Sequence, residues 1–100
     1  MRLQEWIDCL CEEYSDEAAQ AVDRYDADAI PPLLRALWRQ DVDPYGHDTC
    51  AEILAGILLR TRPGRTVDIL VSLLAHENAD VRRRMILTIG EIRARQTIPV

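Results

Sequence analysis

Apolar residues recur along this chain at helical spacing, and no stretch alternates as a surface strand does. Leu3, Trp6, Ile7 and Leu10 form one stripe, and Ala18, Ala21, Val22 and Tyr25 a second. Ile30, Leu33, Leu34 and Leu37 form a third, and Ile53, Leu54, Ile57 and Leu58 a fourth. Leu70, Leu73 and Leu74 mark a fifth helix, and Val81, Met85, Ile89 and Ile92 a sixth. The punctuation agrees with the stripes. Ser15 and Asn78 stand where helix caps belong, and Thr66 is placed to cap the fifth helix. Pro31 and Pro32 fit only a first helical turn, so Asp28 reads as the cap before them. Thr49 and Glu52 have the T-x-x-E spacing of a capping box and predict the start of the fourth helix. RTRPGR at 60–65 is a helix stop followed by a turn. The expectation is an all-α chain of six helices in three pairs with short links.

The pairs repeat. ILAGIL at 53–58 lies over LTIGEI at 87–92 with a shift of 34 residues. IPPLL at 30–34 returns as IPV at 98–100, a shift of 68, and VDILVSLL at 67–74 takes the place of IPPLLRAL. A period in the thirties with two helices per unit marks an α-solenoid.

The stretch LLAHENADVRRRMILTIGEI resembles a HEAT repeat of the bacterial type. Asp80, Val81, Arg82, Met85, Thr88, Ile89 and Gly90 occupy the places of that motif's second helix. Residues 29–59 follow it more loosely. Ala51, Leu54, Ala55 and Gly56 fit, but His47 and Asp48 stand where Val and Arg would be, and the loop is three residues longer. The resemblance implies a right-handed α-α superhelix with repeats at 28–60 and 66–95. It makes residues 1–27 a degenerate N-terminal capping unit and 97–100 the start of a further repeat. It implies a non-catalytic scaffold or adaptor that binds a partner protein, and it gives Arg82 the role of bracing the loop between repeats. HEAT-like repeats also occur in phycobilin lyases, so a lyase or chaperone subunit for a small ligand is the alternative from another class.

Residues 41–52, DVDPYGHDTCAE, carry a competing signal. Asp41, Asp43, Gly46 and Glu52 fall at the first, third, sixth and twelfth positions of a calcium loop. Tyr45 and Asp48 then occupy its fifth and eighth positions, where an oxygen ligand and an aliphatic residue belong. The segment therefore reads as the turn within a helix pair, with Pro44 as a stop, Gly46 as a turn residue and Glu52 as the box partner of Thr49. Asp41, Asp43, Tyr45, His47 and Asp48 are its candidate binding residues. His47-Asp48 and His76-Glu77 resemble the His-Glu pairs that hold a di-iron centre in HEAT-fold deoxyhypusine hydroxylases. That centre needs four such pairs, within helix starts, and two surface histidines satisfied locally are the simpler account.

Composition narrows the rest. The chain is 100 residues, 48% hydrophobic and 29% charged, which suits a single globular domain. No apolar run approaches the roughly 18 residues of a membrane span, and the acid-rich N-terminus is unlike a signal peptide, so a cytoplasmic protein is expected. Cys9, Cys11 and Cys50 are odd in number and read as buried or idle thiols. No catalytic, metal or cofactor motif is found, and no cofactor is expected. Residues 1–50 hold twelve acids against four Arg, a net −8, and residues 51–100 hold five against eight, a net +3. Arg82, Arg83, Arg84, Arg93 and Arg95 make the last helix basic, and HEAT-like alkylpurine DNA glycosylases bind phosphates along a basic concave face, so the resemblance admits nucleic acid as a further alternative. The chain's net charge of −5 and the lack of interleaved aromatics argue against nucleic acid. The sixth helix is apolar on two sides, with Ile86 and Leu87 off its core stripe. Arg83, Ile86, Leu87 and Arg93 are therefore the candidate partner-binding residues, for an unknown protein partner or for a second copy paired about a two-fold axis.

Overall fold

The computed structural model describes residues 1–97, and within them the chain is all-helical. Helix α1, Leu3–Glu12, starts with the Glu5 carboxylate accepting the Arg2 N–H at 3.2 Å. It buries Ile7, Leu10 and Cys11. Helix α2, Asp16–Arg24, is capped by the Ser15 hydroxyl, which accepts the Ala18 N–H at 3.2 Å. Asp16 and Glu17 in its first turn and Arg24 in its last complement the helix dipole. Ala18 and Val22 of its stripe are buried, but Tyr25 lies beyond the helix and is exposed.

A 3₁₀ turn at Asp26–Ala29 then winds directly into α3, Ile30–Leu37. Asp28 sits inside that turn and caps nothing, because the preceding residues are already helical. Pro31 and Pro32 lie in the first turn of α3, where a missing N–H costs no bond.

Helix α4, Pro44–Thr61, begins five residues before the expected Thr49 cap. Asp43 caps it, with its carboxylate accepting the Gly46 N–H at 2.8 Å, and Pro44 is its first residue. Thr49 is interior and turns its hydroxyl back to the Tyr45 carbonyl at 2.9 Å. The helix ends on Arg62 in the left-handed region, φ 48°, with its N–H on the Leu58 carbonyl. Helix α5, Thr66–Ser72, continues into a 3₁₀ turn at Leu73–Ala75. Thr66 is its first residue, not its cap, and its hydroxyl donates to the Pro63 carbonyl. Helix α6, Ala79–Thr97, is capped by Asn78, whose side-chain oxygen accepts the Asp80 N–H at 2.8 Å. The IPV segment, with most of the expected further repeat at 97–100, lies outside the described residues.

The helices associate as three successive pairs, α1–α2, α3–α4 and α5–α6. Helix α4 is central. It packs on α1 and α2 on one flank, on α3 within its own pair and on α6 on the other flank. Val42, Cys50, Ala51, Leu54, Ala55, Ile57 and Leu58 join its surroundings into one core with Ile7, Leu10, Leu33, Leu37, Leu70, Leu73, Val81 and Met85. The molecule is elongated, 43 × 27 × 20 Å. None of the described helices is long and apolar enough to cross a membrane.

Candidate functional site

The segment 41–52 does not form a loop that could wrap an ion. Residues 44–52 are helical, so Tyr45, His47, Asp48, Thr49 and Glu52 lie along α4. Asp41 is held by Arg39 in a two-pronged contact, at 3.0 and 2.8 Å, which keeps its carboxyl below the usual carboxylate range. Asp43 is spent on the cap. Glu52 stands nine residues further on, about 13 Å along the helix axis from Asp43 at 1.5 Å per residue. Asp48 meets Arg84 of α6 at 3.4 Å.

The two histidines, read above as surface residues, meet each other, one buried and one half-buried. His76 is buried, and its ring lies edge-on to that of His47, with centroids 4.9 Å apart. Trp38 covers the His76 ring at 5.0 Å. A carbonyl can only accept, so the His76 Nε2–H donates to Leu37, and Nδ1 then accepts the Asn78 N–H at 3.0 Å. Both ring nitrogens are thereby used, and His76 has no lone pair left for a metal. The His47 Nε2–H donates to the Arg39 carbonyl at 3.0 Å. Arg82 completes this corner by donating to the carbonyls of His76 and Glu77, at 2.6 and 3.0 Å. The two rings and Arg82 thus fasten the link before α6 onto the end of α3. Among the described residues no group of three or more His, Cys, Asp or Glu is placed to hold a metal ion.

Cys11 of α1 and Cys50 of α4 meet in the core, and all three cysteines are free thiols. A hydrogen bond from Cys50 lowers the Cys11 thiol against the opposing effect of burial, with help from Arg39. Donation to Cys11, and then burial, push Cys50 far up.

Four exposed aliphatic side chains lie on the third pair, while Tyr14, Tyr25, Trp38 and Tyr45 are exposed elsewhere. Val67 and Val71 of α5 are 50% and 52% exposed, and Ile86 and Leu87 of α6 are 60% and 66% exposed. Val67 and Val71 are one turn apart and line a groove of about 360 Å³ with Ile89, Ile92 and Arg93. Ile86 is three residues before Ile89 and seven before Arg93, so it continues the same flank of α6. Leu87 does not. It falls on the outer face of α6, four residues from Arg83 and three from Arg84. Of the four partner-binding residues expected from sequence, the fold thus sets Ile86 and Arg93 together. Leu87 lies on the outer face, and Arg83 faces solvent 3.9 Å from Asp80. Val67 and Val71 are the members that the sequence pattern did not single out. VDILVSLL is apolar nearly all round, and periodicity alone cannot say which side a neighbour covers.

The groove is at the small end of the roughly 300–1,000 Å³ of ligand pockets, and among the described residues Arg93 is the one polar side chain lining it. A small ligand would need converging polar groups to orient it. Most of the basic charge of α6 is engaged within the chain, with Arg82 on carbonyls, Arg84 on Asp48 and Arg95 on Glu91 at 3.2 Å. That leaves little of the array a phosphate backbone requires. A second hollow of about 300 Å³ lies between α2 and α4, lined by Tyr14, Ala19, Asp23, Glu52 and Ile53 among others. It carries a mixed polar surface with no cluster of reactive groups. Compared with models of known protein families, with characterised proteins and with solved structures, the chain matches none.

Proposed function

We propose that this chain is a non-catalytic protein–protein interaction module, built of HEAT-like helix pairs stacked as a short solenoid. The observation that carries the reading is the uncovered apolar face of Val67, Val71, Ile86 and Ile89 on the third pair. Exposed apolar patches on small domains mark contact sites, because leaving such area in water forfeits about 25 cal/mol per Å². The repeat reading draws support from spacing in the fold. Left-handed residues follow the second helix of the first two pairs, at Asp26 and Arg62, 36 residues apart. The caps Asp43 and Asn78 are 35 apart, and the Asn78 amide donates to the Pro44 carbonyl across 34 residues. The large interfaces run within pairs or between successive pairs, which is how each unit of a solenoid buries its neighbour's face.

The test uses a double variant, Val71→Glu with Ile86→Glu, which alters only exposed positions. Wild type and variant are used to isolate a binding protein from the source cells. The recovered protein is then purified, and its complex is measured by calorimetry and hydrogen exchange. Protection centred on residues 67–93 and at least about tenfold weaker binding by the variant are expected. Saturable binding that the variant leaves unchanged, with protection elsewhere, would overturn the placement of the site.

A further inference from the structure

Cys11 and Cys50 are 39 residues apart in sequence, yet α1 and α4 bring them into one core. Gly46 sets the approach. A Cβ there would stand 3.3 Å from the Cys11 carbonyl, so the two helix backbones pass close together at this point. Cys50 lies one turn further along α4 on the same face, which sets its side chain toward α1. Its thiol donates to the Cys11 sulfur. Cys50 is fully buried, and Cys11 is 6% exposed. Cys11 also borders a recess of about 50 Å³, shared with Gly46 and Thr49 and with the exposed Glu13, Tyr14 and Tyr45. A water needs about 10–15 Å³ of such space, so a molecule of two oxygens fits. Arg39, held by Asp8 at 2.9 Å and Asp41 at 2.8 Å, is the cation whose field favours a thiolate at Cys11.

The two thiols are unequal. The bond from Cys50 and the Arg39 charge hold the Cys11 thiol below its ordinary range, whereas the same bond and burial push Cys50 far up. Cys11 is thus the nucleophile and Cys50 the partner that keeps its proton. From their contact across the helix interface and the recess at Cys11, we infer that Cys11 and Cys50 are a peroxide-responsive pair, which closes to a disulfide and staples α1 to α4. The Cys11 thiolate attacks one oxygen of hydrogen peroxide, and the O–O bond breaks. The leaving hydroxide takes up the proton that Cys11 gave up and departs as water. Cys11 becomes a sulfenic acid, oxidised by two electrons. The Cys50 sulfur then attacks the Cys11 sulfur. The S–S bond forms, the S–O bond breaks, and the hydroxide leaves with the Cys50 proton as a second water. Two thiols and one peroxide give one disulfide and two waters, and a dithiol reductant reverses the step. The staple joins the first helix pair to the second, so the inference stands apart from the apolar face of the third.

The experiment treats the folded wild-type chain with a small excess of hydrogen peroxide and reads it by intact mass, non-reducing peptide mapping and thermal melting. A loss of two hydrogens per chain is expected, reversed by dithiothreitol, with Cys50 linked to the peptide that holds Cys9 and Cys11. Trypsin leaves those two cysteines together, because no Arg or Lys stands between them. The mapping is therefore repeated on Cys9→Ser, which should cross-link as wild type does. In Cys50→Ser, dimedone should trap Cys11 as its sulfenic acid. The oxidised chain should melt at least about 5 °C above the reduced one, since a cross-link closing a loop of this length restricts the unfolded chain. A link from Cys50 to Cys9, oxidation confined to Cys9, or thiols that all stay reduced would each overturn the inference. So would a link between Cys11 and Cys50 that forms only in urea, because the folded contact would not then be its source. An oxidised chain that melts below the reduced one would show that the fold does not accommodate the staple, and would overturn it too.

Discussion

Helices α4 and α6 carry related hexapeptides, ILAGIL and LTIGEI, at equivalent places in successive pairs, yet their surroundings differ. Helix α4 is covered on both flanks, and Ala51, Ala55 and Leu58 are all buried. Their counterparts 34 residues on are Met85, Ile89 and Ile92. Met85 and Ile92 are buried against the chain's own core, but Ile89 is only half covered, and Ile86 beside it is exposed. The small alanines of α4 let α6 approach closely. The larger isoleucines of α6 project from a flank that nothing among the described residues covers. An apolar stripe therefore declares that a face needs a neighbour, and the topology decides whether the chain supplies it.

The comparison breaks most readily at Met85. If the inward side of α6 is as much core as α4, Met85→Asp should lose more than ~3 kcal/mol by placing a carboxylate among buried apolar side chains. Leu87→Asp, two residues away on an exposed flank, should stay within about 0.5 kcal/mol. Urea denaturation reads both. Equal losses would mean that the two sides of α6 are not distinct.

The next test concerns what fastens the third pair to the second. His76→Ala removes a donor from the Leu37 carbonyl and an acceptor from the Asn78 N–H, in a buried place. The loss should be about 2–3 kcal/mol, since orphaned buried groups carry their full desolvation cost. His47→Ala gives up one bond from a half-buried ring and should cost about 1 kcal/mol. A His76 variant that melts with wild type would deny this corner its fastening role.

Six helices and most of their inward faces were legible because a period of 3.6 survives any tertiary arrangement. Ser15 and Asn78 act as the caps that the sequence predicted. The start of α4 was not legible, because two cap signals compete within seven residues. Thr49-x-x-Glu52 has the better pattern, but Asp43-Pro44 wins because α4 must reach back to α1, where Gly46 meets it. Pro44 was read as a stop when it is a first residue. The pairing of His47 with His76, and of Cys11 with Cys50, joins residues 29 and 39 apart, so spacing carries no trace of either. The exposed apolar face was half legible. Ile86 and Arg93 stand out as off-stripe residues, whereas Val67 and Val71 look like any buried apolar run until α6 is seen to leave them open.

The smallest expected effects separate the glycines of the two helices. A Cβ at Gly46 would lie 2.6 Å from a Val42 methyl and 3.3 Å from the Cys11 carbonyl. The methyl belongs to a buried side chain and the carbonyl to the α1 backbone, so neither yields freely. Gly46→Ala should push the first turn of α4 off α1 and cost about 1–2 kcal/mol, in the range of overpacking. At Gly90 in α6 nothing lies within 4 Å of an added Cβ. The glycine there occupies a place in the HEAT-like pattern, yet this fold has room for a methyl. Its backbone is helical, so alanine restricts the unfolded chain and strains nothing. Gly90→Ala should therefore stabilise by roughly 0.5–1 kcal/mol, the intrinsic difference between the two residues in a helix interior. Thermal melting reads the gain, and a variant that melts below wild type would mean that a methyl at Gly90 meets an atom the fold does not place there.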